Sequence, residues 1–88
     1  MKIRIMTAAR DLASGEAKEV VLPGEDGELT VMDFHQPCLC RLKAGMVRVM
    51  FRQDGMERKE KFLIKGGVVR VGFEGVALFV EEQGRRVS

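Results

Sequence analysis

The stretch VVLPGEDGELTVMDFHQP, Val20–Pro37, sets two short apolar runs on either side of a Pro- and Gly-punctuated turn. Val20–Leu22 and Leu29–Met32 are the runs, and Pro23, Gly24 and Gly27 supply the backbone conformations of a tight reversal. That is the pattern of a β-hairpin. Its turn gathers Glu25, Asp26 and Glu28, and carboxylates crowded in this way belong in water or opposite a basic partner. His35 follows on the next loop, where Pro37 removes a backbone donor and holds Gln36 extended.

Working outward, Lys2–Thr7 alternates as a strand with Ile3 and Ile5 inward, and Asp11–Gly15 reads as a turn and short strand. Cys38–Lys43 places Cys38, Cys40 and Leu42 on one side, with Leu39, Arg41 and Lys43 on the other. Ala44–Gly45 turns the chain; then Val47, Val49 and Phe51 alternate with Arg48, Met50 and Arg52. Asp54–Gly55 is a two-residue hairpin signal. The return arm Met56–Lys65 is charged until Phe62, as an edge strand would be. Gly66–Gly67 reads as a strand break, with Val69, Val71 and Phe73 alternating after it. Glu74–Gly75 turns again, Val76, Leu78 and Val80 share a face, and Gly84–Ser88 reads as a frayed end. The sole helical candidate, Ala8–Lys18, is interrupted by Gly15 and has no apolar stripe. Reversals recurring about every eight to twelve residues predict an all-β fold, an antiparallel sandwich or barrel.

The 88 residues fit one domain, residues 1–88, and 45% hydrophobic with 32% charged residues is globular composition. A net charge of +2, scattered among acids, and 5 Phe without Trp or Tyr argue against a nucleic-acid partner. No apolar run is long enough to span a membrane, and the alternating opening MKIRIMT is unlike a signal peptide, so a cytoplasmic location is expected. The hydroxyls of Thr7, Ser14, Thr30 and Ser88 have only His35 as a potential base, and no nucleophile elbow, phosphate loop or EF-hand spacing occurs. Cys38 and Cys40 lack the further ligands of a zinc site, would form only a strained disulfide, and read as small apolar side chains. No catalysis, metal or cofactor is expected. On the residues alone, the acidic tip fits a free-standing binding module that recognises a basic protein.

VVLPGEDGELTVMDFHQPCLCRLKAGMVRV also resembles the N-terminal domain of the epsilon subunit of F-type ATP synthases. The likeness rests on Val21, Pro23–Gly24, Gly27–Glu28–Leu29, His35, Pro37, Leu39, Leu42–Lys43, Gly45 and Val47–Arg48–Val49. It continues through Phe62, Gly66–Gly67, Val71 and Val76–Val80, and so covers nearly the whole chain. The resemblance implies an antiparallel β-sandwich of two five-stranded sheets. It also implies a non-catalytic rotor subunit, monomeric in isolation and peripheral on the cytoplasmic face of the energy-transducing membrane. Such a subunit sits beside the gamma subunit, rests on the ring of c subunits, and couples proton or sodium flow to ATP synthesis.

By the same resemblance, Glu28 and Asp26 would approach the c ring and His35 would face the gamma subunit, with Cys40 near that surface by position. Phe34, where the sequence departs from the family, is either an added apolar anchor in that gamma contact or folds back on the core. The family's Gly after Gly-Glu-Leu is here Thr30, its Pro-Gly before the His is Asp33–Phe34, and its Ala is Gln36. These departures fall within the implied interface. The family continues into a two-helix C-terminal domain, whereas this sequence stops at Ser88, so neither nucleotide binding nor helix-based inhibition is expected of it.

Overall fold

The computed structural model describes residues 1–33 and 35–87, with side chains described up to residue 82. The period-two alternation becomes seven strands: β1 (Lys2–Met6), β2 (Asp11–Gly24), β3 (Gly27–Met32), β4 (Cys38–Leu42), β5 (Gly45–Gln53), β6 (Met56–Gly72) and β7 (Gly75–Val87). No helix occurs among the described residues. Three strands, β2, β6 and β7, run for 14, 17 and 13 residues and change neighbours along their length. One layer holds the start of β2, then β1, the start of β7, the second half of β6, and β4. The other holds β3, the second half of β2, β5, the first half of β6 and the end of β7.

The expected all-β sandwich therefore forms, but its sheets are not separate. Hydrogen bonding joins all seven strands into one network, because the three long strands serve both layers. Register shifts mark the crossings: between Ala17 and Glu19 in β2, and between Phe62 and Gly66 in β6. An extra residue on one strand bends it and increases its twist, which lets a strand leave one layer for the other. Gly66–Gly67 thus sits at a bend in a continuous strand, correcting the predicted break. The pairing is not wholly antiparallel either, since β1 and β7 run parallel. Gly15, read as a turn, lies inside β2, and the end read as frayed is strand through Val87, with Ser88 outside the described residues.

Both layers contribute to one core. Ile5, Val20, Leu22, Val31, Val47, Val49, Ile64, Val69 and Leu78 are essentially inaccessible. Burying each such side chain is worth about 1.5–3 kcal/mol, and β-branched residues also suit the pleated surface. At Phe73 the alternation outruns its strand: β6 ends at Gly72, so Phe73 falls in the turn and is 98% exposed instead of following Val69 and Val71 inward. The Asp54–Gly55 hairpin forms as read, with φ of 53° and 79°, the left-handed pair that matches strand twist. Met56–Glu60 pairs with β5 alone, as its charge predicted. There Arg58 lies over the Phe51 ring at 4.8 Å and pairs with the buried carboxylate of Glu60 at 2.6 Å.

The crossing of β6 depends on a missing side chain. A Cβ at Gly67 would run into the Phe79 carbonyl oxygen and lie 2.9 Å from the Val80 Cα, both backbone atoms. At Gly66 a Cβ would meet only the Leu42 carbonyl oxygen, at 3.4 Å. Gly67→Ala is expected to cost about 1–3 kcal/mol in chemical denaturation, the usual range for overpacking. Gly66→Ala should cost less than about 1 kcal/mol. Equal effects at the two positions would contradict this account of the bend.

Candidate functional site

The acidic hairpin is held, not dangling. Gly24 pairs with Gly27, leaving Glu25 and Asp26 as a two-residue turn. The Glu25 amide donates to the Arg41 carbonyl at 3.0 Å, and the Lys43 amide donates to the Pro23 carbonyl at 2.9 Å. The tip is therefore fastened to the end of β4, which fixes its direction. Glu25, Asp26 and Glu28 are all exposed. Asp26 points to solvent with no ion pair among the described residues, whereas Glu28 accepts a hydrogen bond from Arg48 of β5 at 2.8 Å. An exposed pair of this kind contributes about 0.2–1 kcal/mol, so Glu28 is oriented by it and remains available to a partner.

His35 lies at the other end of β3, about 20 Å from the tip, given six residues at ~3.4 Å each. Its amide donates to the Met32 carbonyl at 3.2 Å, and its Nδ1 lies 2.8 Å from the Gln36 carbonyl oxygen. The loop that carries it is fastened by the Met1 ammonium group, which pairs with Asp33 at 2.9 Å and with Glu16 of β2 at 2.7 Å. His35 lines an open groove of about 500 Å³ that runs between this loop and the Phe73–Glu74 turn. Phe34 lies outside the described residues. The structure thus places the acids and His35 at opposite ends of β3.

Cys40 faces inward with Cys38 and Leu42, half-buried against the core. Its neighbour Leu39 faces outward and is 70% exposed. Across the ladders, the outward partners are Arg70 and Val68 on β6, Ala77 and Phe79 on β7, and Arg4 and Met6 on β1. Leu39, Val68, Phe79 and Met6 form a diagonal apolar stripe among Arg4, Arg41 and Arg70. Exposed Leu39 and Phe79 were missed as candidates, although Leu39 already stood on the polar side of its strand in the sequence. A contiguous exposed apolar patch rimmed by polar residues marks an interaction face, whereas a single exposed apolar side chain does not.

The sequence profile of the "ATP synthase, Delta/Epsilon chain, beta-sandwich domain" family matches residues 1–85. The chain belongs to this family. Among curated relatives, it is 33% identical over 81 residues to the ATP synthase epsilon chain of Herminiimonas arsenicoxydans, covering 92% of this chain and 56% of the relative. It is 37% identical over 81 residues to that of Paracoccus denitrificans, covering 92% and 53%. The chain spans about half the length of these relatives. Its fold is similar to a chain in the cryo-EM structure of the Tetrahymena thermophila mitochondrial ATP synthase central stalk and c ring. There the TM-score is 0.75 at 18% identity, covering 93% of this chain and 63% of that one. A chain of the Euglena gracilis mitochondrial ATP synthase superposes with a TM-score of 0.73 at 19% identity, covering 97% and 51%.

In this Delta/Epsilon sandwich the Met1 ammonium ties the His35 loop to β2. Burial works against its charge, but hydrogen bonds to Asp33 and Glu16 outweigh that cost and raise its pKa above the ordinary 8.0. A raised folded-state pKa adds stability that is complete below the unfolded value and lost as pH rises through the folded one. Stability should therefore fall as pH climbs above about 8. Asp33→Asn should flatten this slope in thermal melts, and an unchanged slope would contradict the ion-pair anchor.

Proposed function

We propose that this domain is a non-catalytic central-stalk element of an F-type ATP synthase, joining the gamma subunit to the c ring. In that role it transmits rotation driven by proton or sodium flow to the subunits that make ATP. It works at the cytoplasmic side of the membrane as a peripheral component. The observation that carries this reading is the family match over residues 1–85, supported by a fold similar to that of chains in ATP synthase structures that include the c ring. No group of three or more His, Cys, Asp or Glu side chains able to hold a metal occurs among the described residues. The geometry suits docking at several surfaces.

Asp26 and Glu28, on a tip tied to β4, are assigned to basic groups of the ring loops. Charged contacts of this kind set register and encounter rate more than affinity. The stripe through Leu39 and Phe79, with the His35 loop beside β4, is assigned to the gamma subunit. Phe34 belongs to that assignment by its place in the loop, while Cys40, turned inward, supports the strand from beneath. The tip and the His35 loop lie at opposite ends of β3, and the stripe covers the outer face of the layer that holds β4, so one domain can meet two partners at once.

The ion pair with Arg48 offers a clean test of Glu28. Glu28→Arg breaks the pair and reverses the tip charge, and should lower proton-driven ATP synthesis by the assembled complex. Because the pair is exposed, the domain should lose no more than about 1 kcal/mol of stability. Adding Arg48→Glu restores the pair with its polarity swapped. ATP synthesis that stays low in the double variant supports ring contact. Full recovery would show that Glu28 acts only within the domain, and undiminished synthesis in the single variant would also overturn the assignment.

A further inference from the structure

The inward thiols of β4 lie on the opposite side of the strand from Leu39 and the proposed docking stripe, yet their placement is specific. Cys38 and Cys40 sit opposite Val71 and Val69 on the same inward face, two positions apart along an extended strand. Their Cα atoms are therefore about 6.6 Å apart, given a rise of about 3.3 Å per residue. Both thiols are free and only half-buried. β4 is hydrogen-bonded to β6 along its length, but on its other side only its end is held, at Arg41 and Leu42. The two sulfurs thus share one open margin of the sandwich, with an apolar wall behind them.

Burial raises the Cys38 thiol pKa, and a hydrogen bond to the neighbouring Cys40 raises it further. Because both side chains leave the same face of one extended strand, their sulfurs can close on a single cation between them. No third His, Cys, Asp or Glu joins them among the described residues. That excludes the four-ligand site that zinc favours and leaves a two-sulfur site. Thiolate pairs in apolar surroundings select soft cations, Cu(I) above all.

We propose that Cys38 and Cys40 form a two-coordinate site for a thiophilic monovalent cation of the Cu(I) class at the open edge of β4. Each thiol releases one proton, the two thiolates each donate an electron pair to the cation, and no electron is transferred. The site stands independently of the proposed stalk role.

The test is a titration of the reduced chain with Cu(I) under anaerobic conditions, against a competing chromogenic Cu(I) chelator. The expected result is one Cu(I) per chain, an ultraviolet thiolate-to-metal absorption band, and release of two protons. Cys38→Ala and Cys40→Ala should each weaken binding by at least roughly 100-fold, since even outer-shell partners of a metal are worth 10–100-fold. Failure of the wild-type chain to compete with the chelator would overturn the proposal. So would one-to-one binding that persists in either variant, which would assign the metal to methionine sulfur. Should a variant fail to fold, the wild-type band and proton count decide alone: both present supports the site, and either absent overturns it.

Discussion

The fold depends on apolar side chains of β2, β6 and β7 reaching one interior from both layers. Val20 and Leu22 of β2, Ile64 and Val69 of β6, and Leu78 and Val80 of β7 all point into that interior. A strand that serves two layers must bend, and at the shifts near Ala17–Glu19 and Phe62–Gly66 the inward positions change parity, from Ala17 to Val20 and from Ile64 to Val69. The close approach of β7 at Gly67 then lets the layers meet. A chain of 88 residues gains from this economy, because small domains bury a limited share of their surface. Shared strands draw both layers onto one core.

Much of this was legible in the residues. Alternation gave the inward sets Ile3 and Ile5, Val47, Val49 and Phe51, and Val76, Leu78 and Val80, because strand periodicity is local. Asp54–Gly55 was equally readable, since its positive φ angles need those residue types. Crossings were not readable, because Gly66–Gly67 breaks one strand or bends another depending on what packs beyond it. The parallel pairing of β1 with β7 joins residues more than seventy positions apart, and no local signal encodes it. Phe73 misled because its alternation with Val69 and Val71 continues past the point where pairing stops.

At the candidate site, the sequence marked Glu25, Asp26 and Glu28 as solvent-facing, and they are. It did not show that Arg48 pairs with Glu28, since that contact depends on β5 lying beside β2. Nor did it weigh Leu39 and Phe79, whose stripe emerges only when four strands are laid side by side. The resulting picture is a rigid block with a charged tip at one end and a mixed apolar and basic face on one layer. Backbone hydrogen bonds at Glu25 and Lys43 and the Met1 ion pairs restrain the segments that project from it.

The central claim is that the outer face of β4, β6 and β7 docks onto the gamma subunit. Calorimetric titration of the chain with the gamma subunit of the same synthase tests this most directly. Saturable one-to-one binding by the wild-type chain is predicted, with loss of that binding in Leu39→Asp while the circular dichroism spectrum stays unchanged. Absence of wild-type binding, or undiminished affinity in Leu39→Asp, would contradict the account.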